Sequence, residues 1–131
     1  MTSSISILRD NNNGEDGSFI YYLHEKSQFN EASFWIFYNA VIEIIEETKL
    51  SSLDRELTQI ISKTFNYIFR SFMWHFCPDD QYEITEMPTS DLFPYYIERL
   101  EFAYRGYFEG ISVSEDSFGD ELSNPSLNDE G

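Results

Sequence analysis

The sequence predicts a mainly α fold, with three principal helices at about 31–49, 52–76 and 91–109 packed around an aromatic core. Three observations lead there. Apolar residues recur at spacings of three and four over two long stretches and one shorter one. Prolines and glycines fall at the ends of those stretches rather than inside them. The chain of 131 residues carries 12 Phe and 9 Tyr, a large supply of side chains that each bury ~150–250 Å².

The first helix is read from "NEASFWIFYNAVIEIIEETKL". Phe34, Tyr38, Val41 and Ile45 form its stripe, widened by Phe37, Ile42 and Ile44. Asn30 suits the N-cap, Glu31 the first turn and Lys49 the last. The second is read from Leu57, Ile61, Phe65, Ile68, Phe72 and Phe76, with Ser51 or Ser52 as its cap and Pro78 as its stop. So short a link between the two predicts that they pack antiparallel as a hairpin. The third begins at Ser90 or Asp91, tolerates Pro94 in its first turn, and buries Leu92, Tyr96, Leu100 and Ala103. Gly106 or Gly110 ends it.

The N-terminus is harder to read. Ile5 and Ile7 alternate with serines, "DNNNGEDG" supplies turn residues, and "SFIYYLHE" has strand-like content. A small β-hairpin fits, with a short helix over 18–26 as its rival. "ISVS", 111–114, fits a short edge strand. Residues 1–114 then make one globular domain, and 115–131 an acidic tail with little to bury and no expected order.

Charge narrows the function. The formal net charge is −16, from 24 acids and 8 bases, and −12 of it falls after residue 77. Such a chain repels nucleic acid and anionic membrane and attracts a basic protein. The start lacks the basic and apolar regions of a signal peptide, and no apolar run is long enough to span a bilayer. A single cysteine forms no internal disulfide. These features predict a cytoplasmic protein with no membrane partner.

"FRSFMWHFCPDD" places His75, Cys77, Asp79 and Asp80 close together, which raises a metal or thiol site. No C-x-x-C or H-x-x-x-H spacing supports one, no G-x-S-x-G marks a nucleophile, and no glycine-rich loop marks a phosphate site. A carboxylate pair can be drawn in any chain with 24 acids. A small enzyme using His75, Cys77 or such a pair is therefore the weakest reading, and neither cofactor nor metal is expected. The stronger reading is an acidic binding face with aromatic anchors. Its acids are Asp79, Asp80, Glu83, Glu86 and Asp91 in the connection and Glu98, Glu101 and Glu109 on the third helix. Its anchors are Trp74 and Tyr95. Arg99 and Arg105 are expected to point elsewhere around that helix.

"GYFEGISVSEDSF", 106–118, resembles the closing segment of immunity proteins from bacterial contact-dependent growth inhibition systems whose toxins are ribonucleases. The likeness lies in Phe108-Glu109-Gly110, in Ile111 and Val113 among serines, and in Glu115 and Asp116 before Phe118. It implies a small non-enzymatic protein that neutralises a nuclease toxin by binding it. A nucleic-acid-mimic inhibitor of the anti-restriction or anti-CRISPR type is the alternative with the same charge logic.

Overall fold

The computed structural model describes residues 3–77 and 82–128. Its elements are α1 (Ser4–Asn12), α2 (Phe19–Glu25), α3 (Glu31–Thr48), α4 (Arg55–Phe76), α5 (Phe93–Glu109), α6 (Glu115–Phe118) and α7 (Pro125–Asn128). The mainly helical class is as expected, and α3, α4 and α5 are the three principal helices.

Side-chain caps set where four of the helices begin. The Ser6, Tyr21, Ser33 and Leu57 amides donate to the side chains of Ser3, Ser18, Asn30 and Asp54, at 3.2, 3.1, 2.9 and 2.8 Å. Asp54 rather than Ser51 or Ser52 starts α4, three residues later than the spacing alone indicated. α5 starts at Phe93 without a side-chain cap, its Pro94 in the first turn where a missing N–H costs nothing. Gly110 ends it in the left-handed region at φ 71°.

The N-terminal hairpin is not formed. Ser4, Leu8 and Asn11 share one buried face at helical spacing, and Ile5 and Ile7 flank it. Asn11 then joins α1 to α2. Its amide nitrogen donates to the Ile7 carbonyl (3.0 Å), and its Oδ1 accepts from the Ile20 amide (3.2 Å). The helix over 18–26 was the correct rival. Nor is 111–114 a strand. Among the described residues, β pairing is confined to a single parallel bridge between Gln28 and Thr85.

Contacts along the helices fix their directions. Phe72 meets Phe93 (ring centroids 5.2 Å apart), Phe65 meets Tyr104 (4.9 Å), and Thr58 hydrogen-bonds Tyr107 (2.9 Å), so α4 and α5 run antiparallel. Phe34 meets Tyr96 (5.0 Å), while Gly106 lies against Ile45 and Gly110 against Lys49, so α3 and α5 run parallel. α3 and α4 are consequently opposed in direction, as a hairpin requires. Yet their backbones barely approach one another, because α1 and α5 lie against both. Large side chains bridge the gap, Phe37 reaching Phe65 at 5.3 Å. The expected close hairpin is thus an open one, with α1 and α5 each packed against both of its helices.

Two further expectations are corrected. Phe76, placed in the α4 stripe by spacing, is 60% exposed, because the last turn of α4 runs past the body. The chain after 114 is not loose over the stretch 115–124. Arg99, 1% exposed, binds Glu115 and Asp120 from that segment, and Asn124 is buried in a reciprocal amide pair with Asn39 (2.7 and 2.8 Å). A buried charge needs opposite charges and hydrogen bonds to be tolerated, and this segment supplies them.

Candidate functional site

The connection between α4 and α5 is positioned by backbone bonds to the loop after α2. Thr85 donates its amide to the Ser27 carbonyl (2.7 Å), and Phe29 donates to the Thr85 carbonyl (2.9 Å). Tyr82 adds its hydroxyl to the Leu23 carbonyl (2.9 Å). Nδ1 of His75 accepts from the Ile84 amide at 2.9 Å. An imidazole that accepts at Nδ1 carries its proton on Nε2, so this histidine is a fastener for the chain. Cys77 is free and exposed. No group of three or more side chains able to hold a metal ion occurs among the described residues.

Of the expected acids, Asp79 and Asp80 lie outside the described residues. Glu83, Glu86 and Asp91 are exposed along the connection. Glu101 and Glu109 are exposed on α5, and Glu98 is half-buried there. Glu86 has φ 60°, a strained backbone for a residue with a Cβ. Its carboxylate accepts from the Gln28 amide nitrogen at 2.7 Å. Glu109 pairs with Arg105 at 3.3 Å. Arg105 therefore shares the acidic face instead of turning from it, and it also lies over Phe102 at 4.7 Å. Glu83, Asp91, Glu98 and Glu101 meet no cation among the described residues.

The two expected anchors differ. Trp74 is 45% exposed at the end of α4, edge-on to Tyr82 (6.3 Å) and under the Arg70 guanidinium (5.2 Å). Tyr95 is half-buried, and its carbonyl accepts weakly from Arg99 (3.4 Å). The structure adds Met73 and Phe76 beside Trp74, 71% and 60% exposed. Phe76 touches Phe93 (5.3 Å), two residues after Asp91. The apolar patch at the end of α4 thereby meets Tyr82 and Phe93, whose neighbours along the chain include the exposed Glu83 and Asp91.

The C-terminal segment enlarges the face. Phe118 packs on Phe102 (5.9 Å) and beneath the Arg99 guanidinium (4.3 Å). This brings exposed Asp116 and Glu121 toward α5, where a disordered tail could not hold them. Burial alone would favour the neutral form of Arg99, but its bonds to Asp120 and Glu115 outweigh that and hold its pKa above the ordinary value. The same Arg99 bonds hold the Asp120 carboxyl below the usual carboxylate range. Burial, and then the nearby Glu115, push the Tyr38 phenol well up. Tyr96 is pushed up to about 12, again by burial and then by Glu31.

No helix among the described residues is long and apolar enough to cross a membrane. No protein-family model matches the chain, and no curated protein sequence or solved structure is similar to it.

Proposed function

We propose that the protein is a non-enzymatic acidic inhibitor that binds a cationic protein in the cytoplasm, its partner a bacterial nuclease toxin and its role immunity. One observation carries this reading. Exposed Glu83 and Asp91 lie along the chain beside Tyr82 and Phe93, which pack on Trp74 and Phe76, with Glu98 and Glu101 further along α5, and none of the four forms an ion pair among the described residues. Nucleases hold phosphate with Lys and Arg, so carboxylates in these positions compete for the same side chains. Steering by net charge −16 would speed the encounter. The resemblance of 106–118 to immunity proteins supports the same role.

The reading expects a nuclease domain encoded beside this gene, and the test is made with that domain where one is found. The purified protein is expected to form a stoichiometric complex, block RNA cleavage and show no turnover. Glu98→Gln with Glu101→Gln should slow association, whereas Glu15→Gln with Glu47→Gln, an equal change in charge, should do much less. Glu46 is unsuited as a control because it hydrogen-bonds Lys49 and Ser112. Equal effects from the two pairs, or absence of a complex, would overturn the reading.

A further inference from the structure

α3 ends, α4 begins and α5 ends at one end of the molecule, because α4 runs against the other two. Gly110 lies against Lys49 there, and Thr58 hydrogen-bonds Tyr107 (2.9 Å). Among the described residues eight large apolar side chains are exposed, and four of them, Leu50, Leu53, Phe108 and Ile111, belong to this end. Leu50 is 95% exposed, almost wholly in water. A single exposed apolar residue is ordinary, but four at one end mark a surface that is covered by something.

The charges at this end point to what covers it. Glu46 pairs with Lys49 (2.6 Å), Glu56 with Arg9 (3.5 Å) and Glu109 with Arg105 (3.3 Å), while Asp54 caps α4. Left over are Glu47 in the last turn of α3 and Arg55, the first residue of α4. Both are exposed, and neither forms an ion pair among the described residues. Leu50 and Leu53 lie between them along the chain.

We infer that this end pairs with the same end of a second copy of the chain, as a two-fold dimer. Under a two-fold axis each contact is repeated in reverse, so Glu47 of each copy faces Arg55 of the other while the four apolar side chains cover their counterparts. A net charge of −16 opposes self-association elsewhere on the surface. Here the unpaired charges are one of each sign and cancel, as a surface complementary to itself requires. A partner of single sign, cationic or anionic, would always leave one of the two opposed by its like. Arg55 stands about 28 Å along α4 from Trp74. The dimer therefore leaves the proposed inhibitor face open, and the inference does not depend on that reading.

Sedimentation velocity of the full chain, at physiological salt and rising protein concentration, tests it. A reversible monomer–dimer equilibrium is expected. Leu50→Glu with Ile111→Glu should give a monomer whose circular dichroism is unchanged. Arg55→Glu suits a helix start and leaves the fold intact, but it sets carboxylate against carboxylate at both ends of the axis. It should raise the dimer Kd about tenfold or more, and adding Glu47→Arg should restore the wild-type value. Trp74→Ser with Phe76→Ser, at the far end of α4, should leave the equilibrium as it was. A wild-type protein that is monomeric at every concentration would overturn the inference. So would a dimer indifferent to Arg55→Glu, a charge-swapped double variant that stays monomeric, or a dimer lost in the Trp74 and Phe76 variant.

Discussion

Arg99 and Asp120, 21 residues apart, meet end to end: Nη1 donates to Oδ2 at 2.8 Å and Nη2 to Oδ1 at 3.0 Å. Glu115 takes the remaining side of the guanidinium, 3.1 Å from Nε and 2.9 Å from Nη2. One buried cation thus gathers two carboxylates of the C-terminal segment onto α5. Its energetic meaning lies in what happens when a member is removed, since an intact buried pair adds little over an apolar replacement.

Arg99→Met should therefore destabilise the fold by ~3–5 kcal/mol, because it leaves Asp120 facing a low-dielectric interior without a counter-charge. Urea unfolding measures it. Arg99→Met combined with Asp120→Asn should recover a substantial part of the loss. Removal of residues 119–131 should also destabilise, since it strips Asp120 from Arg99 and Asn124 from Asn39. A truncated protein as stable as the full chain would contradict the clamp.

The same pair sets an acid limb. The folded Asp120 pKa lies below its unfolded value of ~3.9. Its contribution is then fully present above that unfolded value and is lost as pH falls through the folded one. Protonation of the many surface acids relieves repulsion and acts oppositely, so the informative quantity is a difference. The stability gap between wild type and Asp120→Asn should be widest near neutrality and shrink as pH falls from the unfolded value through the folded one. A gap that does not change with pH would mean that Asp120 acts through packing alone.

Gly106 offers a test with opposite signs. In a helix interior Gly→Ala ordinarily gains ~1 kcal/mol. Here a Cβ would overlap the Ile111 carbonyl oxygen, the backbone atom that leads out of α5. Gly106→Ala should therefore lower stability by ~1–3 kcal/mol, the usual range for overpacking. A rise in melting temperature would refute the close approach.

His75 is expected to matter for order and not for chemistry. His75→Phe removes the acceptor of the Ile84 amide and should cost ~1–3 kcal/mol, the penalty of an unsatisfied buried donor. Faster hydrogen exchange at Ile84 should accompany it. Cys77→Ser, at an exposed position, should change neither stability nor inhibition. Loss of inhibition in Cys77→Ser with the fold intact would restore the thiol reading.

The three long helices were legible because their apolar stripes are long and regular. α1 was not, since two of its three buried positions are Ser4 and Asn11, which an apolar pattern does not register. Arg99 left a visible signal that charge counting missed. It lies on the α5 stripe among Tyr96, Leu100 and Ala103, so spacing alone marked it as a buried arginine in need of carboxylates. What spacing could not show was where those carboxylates lie. Glu115 and Asp120 sit in a stretch whose composition reads as tail, and it is held by Arg99, Phe102 and Asn39, all upstream. The candidate face was half legible for the same reason: local acids were read, but Asp116 and Glu121 come toward α5 only through tertiary folding.

The packing of α1 against both α3 and α4 has a consequence for synthesis. α1 is made before the two long helices it packs against, which end at residues 48 and 76. Its apolar side is covered only in stages, by α2 and α3 and then by α4 after some sixty further residues, made at ~5–20 residues per second. During those seconds the nascent chain depends on the three asparagines at 11–13 and the flanking acids to stay soluble. Core completion falls later still, when α5 brings Tyr96, Leu100, Ala103 and Tyr107 against the helices already made.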